Sequence, residues 1–124
     1  MNIEKETREN SLYRKVLFTA HYSQLVLMSL NPGEEIGKEV HGLDQFLRFE
    51  SGEGKVVLNG EESKVTDGFA VVIPAGTKHN VINTSSDKPL KLYTVYSPPN
   101  HQDGTVHKIK ADEKEEHFDG KTSV

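Results

Sequence analysis

Turn-forming residues punctuate this chain so closely that no long element fits between them. Asn31-Pro32-Gly33, Ser51-Gly52-Glu53-Gly54, Asn59-Gly60, Asp67-Gly68, Pro74-Ala75-Gly76 and Ser85-Ser86-Asp87 follow one another in quick succession. The runs between them are short and rich in Val, Ile, Leu, Phe and Tyr, which fit the pleated surface of a sheet. The pattern predicts strands at Tyr13–Thr19, Gln24–Leu30, Glu34–His41, Gln45–Glu50, Lys55–Leu58, Glu62–Val65, Ala70–Ile73, His79–Asn83 and Leu90–Tyr96. Asn59-Gly60 is the sharpest turn signal, because both central positions of a type I′ hairpin need positive φ. It pairs Lys55–Leu58 with Glu61–Val65. With no helical period between the runs, the expectation is an all-β antiparallel sandwich or barrel, and a doubly wound sheet is excluded.

At 124 residues the chain has room for one closed core. Three zones are expected: a polar N-terminal arm or short, poorly anchored helix over 1–10, the barrel over 11–97, and a charged C-terminal tail over 98–124. Basic residues number 15 against 19 acidic ones, with no basic stripe, which argues against nucleic acid and anionic membrane partners. The longest apolar stretches, Leu25–Leu30 and Phe69–Pro74, fall far short of a membrane span. Residues 1–10 lack the apolar centre of a signal peptide, so a cytoplasmic protein is expected. Cysteine is absent, and any transition-metal site must use nitrogen and oxygen donors.

Two stretches bring chemistry to this framework. Alternate strand residues share a face, so Glu39 and His41 point the same way, and Gln45 keeps that parity if no bulge intervenes. His79 opens a later strand after the Pro74-Ala75-Gly76 turn. Bringing the two stretches together would gather two imidazoles, one carboxylate and one amide. Phosphate loops, dinucleotide fingerprints, nucleophile elbows and His-Glu-x-x-His helices are all missing.

The same stretches carry a family resemblance. Gly33, Glu39, His41, Gln45 and Gly52 fall on the spacing of the first cupin motif, and Gly68, Pro74, Gly76, His79 and Asn83 match every fixed position of the second. The chain therefore resembles a small single-domain cupin of the type often labelled mannose-6-phosphate-isomerase-like, a double-stranded β-helix or jelly roll, over roughly Leu25 to Tyr96. That resemblance implies a divalent metal (iron, zinc, manganese, nickel or copper) on Glu39, His41, Gln45 and His79. Two positions depart from the family pattern: Glu39 stands where the first histidine is usual, and Gln45 where the glutamate is usual. The carboxylate has moved, yet the set keeps one negative charge, which favours a rearranged site over a decayed one. Gln45 either ligates or hydrogen-bonds to a bound oxygen.

By the same resemblance, the expected function is a metalloenzyme acting on a small organic molecule inside the barrel. The reaction would be isomerisation or cyclisation of a sugar or polar carbonyl compound, or O₂-dependent oxidation as in a dioxygenase. The alternative is a non-catalytic small-molecule binding or sensor protein. Glu39, His101 and Tyr93 are the catalytic candidates. His101 and His107 read first as surface loop histidines, His117 as an exposed tail residue, His21 as a turn residue, and Asp44 as a turn aspartate that could also serve as a base. A homodimer is expected, because jelly rolls often cover an open edge with a second copy.

Overall fold

The structure, a computed structural model, describes residues 1–114 and 116–124. Among the described residues nine strands form two antiparallel sheets: β1 (Arg14–Thr19), β2 (Gln24–Leu30), β3 (Asp44–Ser51), β4 (Glu53–Leu58), β5 (Glu61–Thr66), β6 (Ala70–Ile73), β7 (His79–Asn83), β8 (Leu90–Ser97) and β9 (Val106–His107). The larger sheet runs β6-β3-β8-β2-β1-β9 and the smaller runs β5-β4-β7. Facing each other, they make the antiparallel sandwich that the turn spacing predicts, in the jelly-roll form that the family resemblance implies. Asn59 and Gly60 both take positive φ, 49° and 84°, and Leu58 pairs with Glu61 across them.

One expected strand is not continuous. Residues 34–41 pair with β7 at two isolated bridges, Glu35 to Ile82 and Glu39 to His79, in place of a continuous ladder. Between them Gly37 takes φ +110°, a region open to glycine, and pushes the chain away from the ladder. Its N–H is not lost: it donates to the Asn80 side-chain oxygen at 2.9 Å. Conversely, β9 was hidden in the polar tail. There Lys15 and Arg14 of β1 pair with Val106 and His107.

The N-terminal zone is a docked helix, α1 (Ile3–Glu9), and not a free arm. The Asn2 side chain accepts from the Lys5 N–H at 3.1 Å and caps it. Thr7 is fully buried, and Lys91 Nζ donates to the Arg8 carbonyl at 2.7 Å, so α1 is tied to β8.

Inward residues of both sheets close the core. Val26, Met28, Leu47, Phe49, Val56, Val81, Leu90 and Leu92 are almost wholly buried. Their alternation follows the strand period. Two motif residues act as fasteners. Gly52 has φ +101°, and a Cβ there would stand 2.4 Å from the Pro89 carbonyl oxygen. Asn83, 1% exposed, donates to the carbonyls of Leu30 (3.0 Å) and Lys88 (2.9 Å) and accepts from the Ser85 N–H (2.9 Å). Across the larger sheet, Gln24, Tyr96, Gln45 and Ile73 stand opposite one another. Opposed residues share a face, so a row of polar groups, Gln24, Tyr96 and Gln45, crosses the interior and ends on Ile73.

Candidate functional site

The two motif stretches lie side by side. Glu39 and His79 exchange backbone hydrogen bonds of 2.9 Å in both directions. Two residues on, the Gly76 N–H donates to the His41 carbonyl at 2.8 Å. Next, the Ala75 N–H donates to Asp44 Oδ1 at 2.9 Å, so Asp44 does serve the turn. Gln45 then pairs with Ile73 on β6. This ladder brings Glu39 Oε2 to 2.9 Å from His41 Nε2, with the His79 ring 5.1 Å from that of His41.

His79 is 4% exposed, and its Nδ1 meets the Thr77 carbonyl oxygen at 2.9 Å. A carbonyl only accepts, so in the neutral ring Nδ1 carries the hydrogen and Nε2 keeps its lone pair. Burial presses the Glu39 carboxyl upward. The hydrogen bond from His41, together with the fields of His41, His79 and Arg14, outweighs burial and holds it below the usual carboxylate range. Gln45 is buried, and its Nε2 donates to Thr94 Oγ1 at 3.0 Å. Its Oε1 has no partner among the described residues. As the side chains stand, no group of three or more His, Asp or Glu among the described residues surrounds a metal position.

A cavity of about 560 Å³ opens beside this cluster, lined by Arg14, Glu39, His41, Asn100, His101 and Glu113 among others. His101 is buried, not a surface loop residue. Gln24 grips its backbone from both sides: Nε2 donates to the His101 carbonyl at 2.7 Å, and Oε1 accepts from the His101 N–H at 3.0 Å. Burial, aided by the positive field of Arg14, pushes the His101 pKa down to about 3. The ring is neutral at ordinary pH. Tyr96 stands between the two groups, edge-on to His101 (5.3 Å between ring centres) and to His41 (6.1 Å). Burial raises its hydroxyl to about 12 against the opposing field of Arg14.

Tyr93 is not brought to this cluster. Thr94 and Tyr96 face inward on β8, so Tyr93 points to the outer face and packs near Phe46, 6.3 Å between ring centres. His107 is buried on β9, with Nδ1 3.1 Å from Arg14 Nη1. His117 is exposed but reaches the cavity rim, and His21 sits exposed in the β1–β2 turn.

Sequence reading missed Arg14, Gln24 and Glu113. Arg14 sits beside Lys15 and reads as one more exposed strand cation. Its parity with Val16, an apolar inward residue, was the available signal.

A family model for the cupin domain matches residues 26–96. The uncharacterized protein YrkC of Bacillus subtilis is 49% identical over 119 residues, 90% of this chain and 63% of that protein. The chain thus spans less than two thirds of that relative. A protein of Acanthamoeba polyphaga mimivirus is 44% identical over 111 residues, 86% of this chain and 69% of its own length. The crystal structure of BH2720 from Bacillus halodurans superposes with a TM-score of 0.88 at 48% identity, covering 90% of this chain and 89% of the other. No helix among the described residues is long and apolar enough to cross a membrane.

Proposed function

The chain belongs to the cupin domain family, and on that footing we propose that it is a metal-dependent cupin acting on a small polar organic molecule at the barrel mouth. The contact of Glu39 with His41, beside the His79 ring, carries this reading. Once the ion displaces the proton that His41 shares with Glu39, a separation of 2.9 Å suits two donors of one ion at right angles, since ligand distances of about 2.0–2.2 Å place such donors about 3 Å apart. His79 Nδ1, tied to a carbonyl, is the outer-shell bond that leaves Nε2 free to ligate. The orphaned Gln45 Oε1 is the fourth donor of the set, an oxygen in need of a partner. Completing the set requires rotation of the His79 and Gln45 side chains toward the Glu39–His41 pair.

A bound divalent ion supplies Lewis acidity toward an oxygen of the small molecule. The residues around it are hydrogen-bonding groups. His101, kept neutral by burial, offers a ring nitrogen as an acceptor, and the Tyr96 hydroxyl, held protonated, is a hydrogen-bond donor. This set suits holding and polarising a carbonyl compound, as in isomerisation or cyclisation, over O₂-dependent oxidation. A second reading, a non-catalytic binding protein, draws on the lack of three converged donors among the described residues.

Metal analysis separates the two. Protein purified without chelator and reconstituted in turn with Fe(II), Zn(II), Mn(II), Ni(II) and Cu(II) is expected to hold about one equivalent of at least one ion, and His79→Ala is expected to lose it. Less than about a tenth of an equivalent for every ion would overturn the metalloenzyme and leave the binding protein.

A further inference from the structure

Arg14 is a cation with almost no access to water, 3% exposed. A guanidinium carries five N–H donors in a planar fork, and this one is under-used. Nη1 donates to Glu113 Oε2 at 2.8 Å and meets His107 Nδ1 at 3.1 Å. Nε has no partner among the described residues, and neither does the Tyr13 hydroxyl, whose ring lies under the guanidinium at 5.1 Å. A buried cation needs an anion. The anion supplied here is peculiar: a side chain about a third exposed, 36%, from the C-terminal tail at the rim of the cavity that also holds Glu39 and His41. It engages one nitrogen of the fork, whereas a free carboxylate could engage two.

We propose that Arg14 is the anchor for the carboxylate of a small organic acid, and that Glu113 occupies that place until the acid enters. The inference rests on the small-molecule reading above and gives it a substrate class. The acid's carboxylate sits on Arg14, and a second oxygen faces the Glu39–His41 pair. Exchange costs the guanidinium nothing in charge, because one carboxylate replaces another.

Malonate, with malonamide as its uncharged counterpart, tests this by calorimetry. Each is titrated into chelator-treated and metal-loaded protein, as wild type, Glu113→Gln and Arg14→Lys, with folding checked by thermal melting. Malonate is expected to bind wild type, to bind Glu113→Gln roughly tenfold tighter because the resident competitor is gone, and to bind Arg14→Lys roughly tenfold weaker because the fork is lost. Malonamide is expected not to bind. If malonate affinity is unchanged or lower in folded Glu113→Gln, or malonamide binds as well as malonate, the anchor is overturned. The metal reading fails separately. A Glu113→Gln gain in chelator-treated protein upholds the anchor even when no ion is retained, and metal retention with no such gain overturns the anchor alone.

Discussion

Glu39 and Arg14 face one cavity but are held there in different ways. Glu39 is set by the backbone: reciprocal bonds to His79, then Gly76 to His41 and Ala75 to Asp44, each near 2.9 Å. Arg14 is met by side chains from the far end of the chain, Glu113 and His107, while Ser123 ties the tail back to Thr19 at 2.8 Å and 2.9 Å. The backbone of the donor half is pinned by these bonds. At the mouth the backbone of Arg14 is likewise laddered to β2 and β9, and what is open to exchange is the side-chain contact of its guanidinium with Glu113, as a place where a ligand enters must be.

The largest effect expected on the ladder half comes from Asn83→Ala. The buried Leu30 carbonyl, the part-buried Lys88 carbonyl and one N–H lose their partner at once, for about 3–5 kcal/mol of unfolding free energy by denaturant titration. If the loss stays below about 1 kcal/mol, the motif asparagine is not a fastener, and the claimed rigidity of that half fails.

A smaller effect probes the mouth. His101 is held near pKa 3 in the folded chain, against about 6.5 when unfolded. Between those values the unfolded chain takes up a proton that the folded chain refuses. Stability is therefore complete above about pH 6.5 and falls as pH drops, by about 2 kcal/mol at pH 5. His101→Gln is expected to flatten this acid limb, measured as urea midpoints across pH. An unchanged limb in the variant would show that the buried ring does not set it.

The contrast between the halves also explains what the chain discloses by itself. Local rules were enough for the hairpin at Asn59-Gly60, because its dihedrals are settled by the two residues themselves. They were enough for the pairing of Glu39 with His41, since parity survives a broken strand. The break at Gly37 was not legible: it depends on an Asn80 side chain from a distant strand taking up the freed N–H. On β8, Tyr93 and Tyr96 are equal as sequence, and only the register with Gln45 and Gln24 turns Tyr96 inward. Arg14 is the extreme case. Its partner lies 99 residues away, in a tail with no apolar period to show that it folds back. Spacing motifs record contacts made through the ladder; contacts made by side chains across the whole chain leave no such record.

On the reading proposed above, Glu39, His41, Gln45 and His79 hold one divalent ion. Anomalous diffraction from crystals grown with Mn(II) or Zn(II), with data on both sides of the metal edge, tests it directly. A single strong peak at bonding distance from Glu39, His41 and His79 is expected, with the Gln45 oxygen turned toward it. Crystals that show the Glu39–His41 contact intact and no anomalous peak beside it would contradict the claim.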